Sequence, residues 1–317
     1  MTDTQNEVFK TPVNKIRLFE HGAPGSQNLK LTRKYYTEDM PDGRVKHIVQ
    51  NITDPDIVPY IPDGIGNSTD RQRIPAVLII PGGAFRRLVY NFEGEDVAKW
   101  LNSMGIAAFV LECRLPSDEH DNAEDVPLID AMRAMRVIRG RAQEFGIDEA
   151  KIGVMGFSAG GFMAALLSTA YESDVYVDYK YKDEYDKLSA RPDFAVCSYP
   201  VISIDDCIEA GKRYMSEEQV LERISDSKAK ILHKYNPDKL VRPDMPPVFI
   251  CETDDDRTTL SENSVGFYMA ERKAGVSAEL HIFRTGGHGY GCGDDFAQTG
   301  EWKVLFTKWI KSIGIIS

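Results

Sequence analysis

A chain of 317 residues, 42% hydrophobic and 27% charged, is long enough to bury a large core without disulfides or metals as staples. Its net charge of −11 at pH 7 repels phosphate backbones and anionic lipid, which argues against nucleic acid and against a membrane as partners. Five scattered cysteines (Cys113, Cys197, Cys207, Cys251, Cys292), odd in number and without a C-x-x-C pair, exclude a disulfide framework and a zinc site.

Residues 1–10 are polar and lack the apolar segment of a secretory signal, and the longest apolar runs are strand-length. The expected location is therefore cytoplasmic, and the sequons at Asn51 and Asn67 read as chance matches. Residues 1–44 read as an N-terminal arm. Strands are predicted over 45–50 and 56–61, separated by Asp/Pro turn chemistry, and a polar loop over 63–73. A rhythm then begins. Apolar strands are predicted over 76–80, 106–111, 152–155, 194–199, 248–251 and 278–283. Helices are predicted over 94–103, 127–145, 161–169, 264–273 and 301–313. Near-continuous apolar strands alternating with amphipathic helices predict an α/β fold, a mostly parallel central sheet with helices on both faces. No linker or repeat interrupts this, so 1–317 reads as a single domain, with 171–190 and 203–240 as excursions over the top of the sheet.

The strand over 152–155 runs into Gly156-Phe157-Ser158-Ala159-Gly160-Gly161 and then an apolar helix. G-x-S-x-G between strand and helix is a nucleophile elbow: a tight, strained turn that lifts a serine hydroxyl above the sheet edge. The turn leaves the Ala159 N–H at the positive end of the helix, where it can stabilise an oxyanion. Neither G-x-G-x-x-G nor G-x-x-x-x-G-K-[ST] is present, so no nucleotide cofactor is expected.

A serine hydroxyl needs a base. His21 and His47 precede the core rhythm, His120 lies in a polar loop, His233 in a polar excursion and His281 inside a strand. His288, in Gly286-Gly287-His288-Gly289, follows the last strand on a loop that can reach the serine. The acid belongs after the strand over 248–251, where Asp254, Asp255 and Asp256 stand side by side. These lack the alternating ligands and central glycine of a calcium loop, so no metal is expected. Pro81-Gly82-Gly83-Ala84 ends an earlier strand and can offer amides to a carbonyl oxygen that develops charge.

The stretches AVLIIPGGAF, EGEDVAKWLNSMGIAAFVLECRLP, GVMGFSAGGFMAA, RPDFAVCSYPVIS, PPVFICETDDD and AELHIFRTGGHGYG resemble the acetylxylan-esterase-like (BD-FAE-type) branch of the α/β-hydrolases. That resemblance runs from about residue 24 to 293 and implies an α/β-hydrolase fold. It implies Ser158 as nucleophile, His288 as base, Asp256 as acid with Asp255 second, and the amides of Gly83, Ala84 and Ala159 as the oxyanion hole. It also implies a cofactor-free ester hydrolase whose partner is a small-molecule ester, first among them an acetylated sugar or xylo-oligosaccharide. A feruloyl or other small-acyl carboxylesterase is the neighbouring reading. A serine peptidase and an inactive binding protein on the same scaffold are the readings of other classes. Tyr171, Tyr176, Tyr179 and Tyr181 are candidates for stacking on sugar rings.

Overall fold

The computed structural model describes Phe9 and residues 12–65, 73–213, 215, 216, 218, 219, 230–293 and 298–317. Most of residues 1–10, the Asn67 sequon with most of its loop, and residues 220–229 of the second excursion lie outside them.

Among the described residues, eight strands form the main sheet. In spatial order they are β1 (Ile16–Arg17), β4 (Asp56–Tyr60), β7 (Ala107–Glu112), β5 (Ile74–Ile80), β8 (Ile147–Phe157), β9 (Ala195–Ser198), β10 (Val248–Thr253) and β11 (Ala278–Phe283). Neighbours from β7 to β11 are parallel, while β1 and β4 run antiparallel at one edge. Three more strands, β2 (Lys34–Asp39), β3 (Val45–Gln50) and β6 (Leu88–Val89), make a small antiparallel sheet. Every side chain of β7 and β10 is buried, as a parallel sheet covered on both faces requires. On one face α1 (Asp96–Ser103) meets the last helix, Trp302–Ser312, through Trp100 packed edge-on to Trp302 and Phe306. Against the sheet elsewhere lie α2 (Val126–Gly140), α3 (Ala142–Phe145), α4 (Ala159–Ala170) and, later in the chain, α7 (Ser261–Ala274). Between these, α5 (Ile204–Lys212) packs on α7, and α6 (Lys230–Lys234) is a short helix that buries Ile231. No helix among the described residues is long and apolar enough to cross a membrane. Cys113, Cys197, Cys251 and Cys292 are buried and form no disulfide among the described residues.

Several boundaries differ from the sequence reading. The helix expected from residue 94 begins as a π turn over Asn91–Glu95, with Glu95 N–H donating to Tyr90 O, before α1. The helix expected over 127–145 breaks at Arg141 into α2 and α3. The arm over 1–44 supplies two strands. Lys15 and Arg33 fasten it to Glu112, fully buried on β7, at 2.6 and 2.7 Å, and Arg33 also meets Asp56 at 2.7 Å. A carboxylate with no exposure is tolerable only when charges of opposite sign reach it, which here draws the arm onto the sheet edge.

The segment over 171–190 lies elsewhere than expected. It follows the C-terminal end of α4 and packs along α2 toward the end remote from Ser158. Arg133 meets Asp183 and Asp186, Arg136 meets Tyr176, Arg139 meets Ser189, and Tyr185 abuts Gly140. Three of the four tyrosines spend their hydroxyls there: Tyr171 donates to Asp244, Tyr176 to Asp186 and Tyr179 to Gly22 O, while Tyr181 is exposed beside His21 and Tyr179. The described part of the 203–240 segment follows β9 and is tied to two helices. Asn263 on α7 accepts from the amides of Ile202 and Ser203, and Lys234 and Tyr235 reach Asp125 at the start of α2.

On α7, Glu271 is fully buried, and neither carboxyl oxygen has a hydrogen-bond partner among the described residues. Burial pushes its pKa up to about 8. The unfolded chain gives up this proton near 4.5 and the folded chain near 8, so the stabilising effect of the neutral acid is complete below the first value and lost as pH rises to the second. Glu271→Gln removes the titration. Relative to wild type, its unfolding free energy is expected to gain about 1.4 kcal/mol per pH unit across that window. Denaturant titrations at pH 5, 6.5 and 8 check this, and a pH-independent difference would refute it.

Candidate active site

The residues singled out from sequence converge at the C-terminal ends of β5, β8, β10 and β11. Strand β8 leads straight into α4, and Ser158 occupies the single residue between them. Its φ of 54° lies in the left-handed region, a strained conformation for a residue with a side chain. A Cβ on Gly156 would collide with the carbonyl of Gly160, and one on Gly160 with the carbonyl of Ile80. Both glycines are therefore demanded by close backbone approach, which explains their spacing around the serine. Ser158 donates to Nε2 of His288 at 2.8 Å.

His288 sits on the loop after β11 with its imidazole partly exposed, and its Nδ1 donates to Oδ2 of Asp256 at 2.6 Å. Asp256 is buried. Burial alone would push its pKa up, but the His288 hydrogen bond and charge, with the amides of Thr259 and Thr258, hold it below the usual carboxylate range. Those amides donate to Oδ1 at 2.9 and 2.7 Å, and the Thr259 hydroxyl donates to Oδ2 at 3.0 Å. Asp255 points elsewhere: its Oδ1 accepts from Gly287 N–H at 2.8 Å, pinning the loop just ahead of His288. His281 stays on β11 and pairs with Glu279, and His120 is buried against Ser26.

The oxyanion candidates occupy the turn after β5 and the start of α4. Gly83, Ala84 and Phe85 all have positive φ (138°, 58° and 58°), and among the described residues the amides of Gly83 and Ala84 meet no acceptor. The first bond at the head of α4 runs from Phe162 N–H to Ser158 O. That leaves the Ala159 amide at the positive end of a twelve-residue helix. The Gly82 amide is taken by Glu93 at 2.8 Å, so the turn offers its next amides. Beside these donors lies a narrow, partly open apolar cavity of about 20 Å³, lined by Gly82, Phe85, Cys113, Leu115, Ala159 and Met163 among others.

Two participants escaped the sequence reading. Glu93 is buried under the Gly82 turn, and Tyr199, φ 38°, directly follows β9 with its hydroxyl donating to Glu93 at 2.9 Å. Glu93 stands in an acidic helix start that reads as solvated, so its sequence carried no signal. No group of three or more His, Cys, Asp or Glu side chains among the described residues is arranged to hold a metal ion.

This sheet order, a strained serine between strand and helix, and a Ser-His-Asp hydrogen-bond chain define an α/β-hydrolase. The BD-FAE family model matches residues 65–270, and the chain belongs to that family. It is 31% identical over 240 residues to an acetylxylan esterase of Xylanibacter ruminicola, the match covering 75% of this chain and 45% of that protein. A match to endo-1,4-beta-xylanase B of Butyrivibrio fibrisolvens is 31% identical over 227 residues and covers 71% of this chain and 34% of that one. The chain thus spans less than half the length of these two relatives. Among solved structures, the acetyl ester-xyloside bifunctional hydrolase of Caldicellulosiruptor lactoaceticus shares 35% identity at a TM-score of 0.71, covering 96% of this chain and 97% of that one.

Proposed function

We propose that this chain is a serine ester hydrolase that removes small acyl groups, acetyl first, from sugars such as xylo-oligosaccharides. The observation that carries the reading is the unbroken chain Ser158 Oγ–His288–Asp256, at 2.8 and 2.6 Å, beside amides without acceptors. In this mechanism His288 takes the proton of Ser158 as Oγ attacks the ester carbonyl. Asp256 keeps the imidazole in the tautomer that accepts at Nε2 and stabilises the imidazolium. The amides of Gly83, Ala84 and Ala159 receive the oxyanion, each donor worth about 3 kcal/mol of the barrier. As the tetrahedral intermediate collapses, His288 gives its proton to the departing sugar oxygen, which leaves as a hydroxyl. A water, activated the same way, hydrolyses the acyl-enzyme.

The narrow cavity beside Ala159 supports a short acyl group, and the names of the relatives support acetylated xylosides. Acetate release from acetylated xylo-oligosaccharides tests the substrate class. In a p-nitrophenyl ester series, kcat/KM is expected to fall at least about tenfold from acetate to octanoate. Equal or rising values would overturn the small-acyl reading.

A further inference from the structure

Glu93 combines two unusual features. It has almost no exposure, and it stands in the middle of the π turn Asn91–Glu95. A buried carboxylate costs stability unless its oxygens are satisfied, and π turns cluster where a local distortion serves a site. The turn is clamped from β3: the Asn91 side chain accepts from His47 N–H at 3.0 Å and donates to Val45 O at 2.8 Å. That clamp turns the Glu93 side chain inward, away from the solvent its neighbours Glu95 and Asp96 favour.

The two oxygens of Glu93 have different partners. Oε2 accepts from Gly82 N–H, in the turn that offers the Gly83 and Ala84 amides. Gly82 also lies against the elbow, where an added Cβ would meet the carbonyl of Phe157 and the Cβ of Ser158. Oε1 accepts from the Tyr199 hydroxyl, which in turn accepts from Gly291 N–H at 3.1 Å, three residues beyond His288. The Tyr199 ring stands edge-on to the His288 ring at 5.1 Å, and its carbonyl oxygen lies 3.3 Å from the hydroxyl of Thr259, the residue that caps Asp256. One carboxylate therefore ties the oxyanion turn, and through one tyrosine the base loop, to a common point.

We propose that Glu93 is a positioning residue for the esterase reaction. Through Tyr199 it fixes the distance between the oxyanion amides and the imidazole of His288. The proposal rests on the esterase reading above. Its chemistry is a count of acceptors. A carboxylate accepts from both N–H and O–H donors, whereas the amide of Glu93→Gln offers one acceptor oxygen and turns an NH₂ toward the other donor. With its oxygen on Gly82 N–H, the glutamine forces the Tyr199 hydroxyl to reverse from donor to acceptor while it still holds Gly291 N–H; with its NH₂ on Gly82, two donors face each other. Either way one of the two ties is weakened, and the geometry matters only once charge develops on the ester oxygen.

Turnover is measured per active site, with sites counted by fluorophosphonate labelling of Ser158. Glu93→Gln is expected to lower kcat at least about thirtyfold with KM within about twofold of wild type. Tyr199→Phe keeps the Gly82 contact and is expected to lose less, about threefold to tenfold. The double variant is expected to be no worse than Glu93→Gln alone within about twofold, because the two act as one unit. Tyr199→Phe provides the test by itself should Glu93→Gln fail to fold. A purely structural role would lower the melting temperature and the count of labelled sites while leaving kcat per site unchanged. That outcome, or additive losses in the double variant, overturns the proposal. A wild-type protein that neither labels nor hydrolyses esters overturns the esterase reading itself, and the role of Glu93 with it.

Discussion

Ser158→Ala is expected to lower ester turnover by about 10⁵-fold while leaving KM and the fold nearly intact. The covalent route disappears with Oγ, since no other hydroxyl stands at hydrogen-bond distance from His288 Nε2 among the described residues. What survives is the binding of the ester and the amides of Gly83, Ala84 and Ala159, which act only on water-driven attack. Alanine keeps the Cβ and so keeps the backbone at a φ of 54°, leaving the strain of the elbow unchanged. The melting temperature is therefore expected to stay within about 3 °C of wild type, as for a substitution that opens no cavity. p-Nitrophenyl acetate hydrolysis and a thermal melt check both halves. A variant with wild-type rates would mean that Ser158 is only a packing residue of a close strand–helix turn.

How much of this was legible beforehand depended on whether a residue's surroundings repeat in the sequence. The buried strands were, because β5, β7 and β10 leave almost no side chain in water and so read as unbroken apolar runs. Strand β8 was seen only over its apolar half. Of its first residues only Ile147 is buried: Asp148 and Lys151 are half-buried, Glu149 and Ala150 are exposed, and the stretch looks like a loop. Strand β2, Lys-Tyr-Tyr-Thr-Glu-Asp, buries no side chain fully, and so passed for part of an arm. The glycines around Ser158 were legible because backbone contact allows no other residue. The excursion over 171–190 was misplaced because tyrosine density reports an amphipathic cover without saying which end of the sheet it covers. Glu93 was invisible for a related reason. Acidic residues favour helix starts in water through the helix dipole, so one that turns inward looks like those that do not. Its role follows only from the π turn and the Asn91 clamp, which no local pattern announces.

The proposed acid must be told apart from identical neighbours, and two of them differ in direction: the Asp256 carboxylate meets His288, that of Asp255 the Gly287 N–H. Asp256→Asn is expected to lower kcat by about 10⁴-fold, and Asp255→Asn by no more than about threefold. At position 256 the Oδ1 site is filled by the Thr258 and Thr259 amides, so an asparagine must place its oxygen there and turn its NH₂ toward His288. The Nδ1 atom then has to accept, which moves the ring proton to Nε2, where it faces Ser158 Oγ and can take nothing from it. Charge is lost as well, so the imidazolium formed in the attack goes unstabilised. At position 255 the same exchange is mild: the asparagine oxygen can still accept from Gly287 N–H, and the residue is exposed. The pair of variants thus reads tautomer control against loop tethering at adjacent positions of one turn. Raised pH should partly restore Asp256→Asn, since hydroxide can substitute for the missing base, while Asp255→Asn should follow the wild-type profile throughout. If Asp255→Asn proved the inactive one, the 2.6 Å contact between Asp256 and His288 would not be the one that sustains turnover.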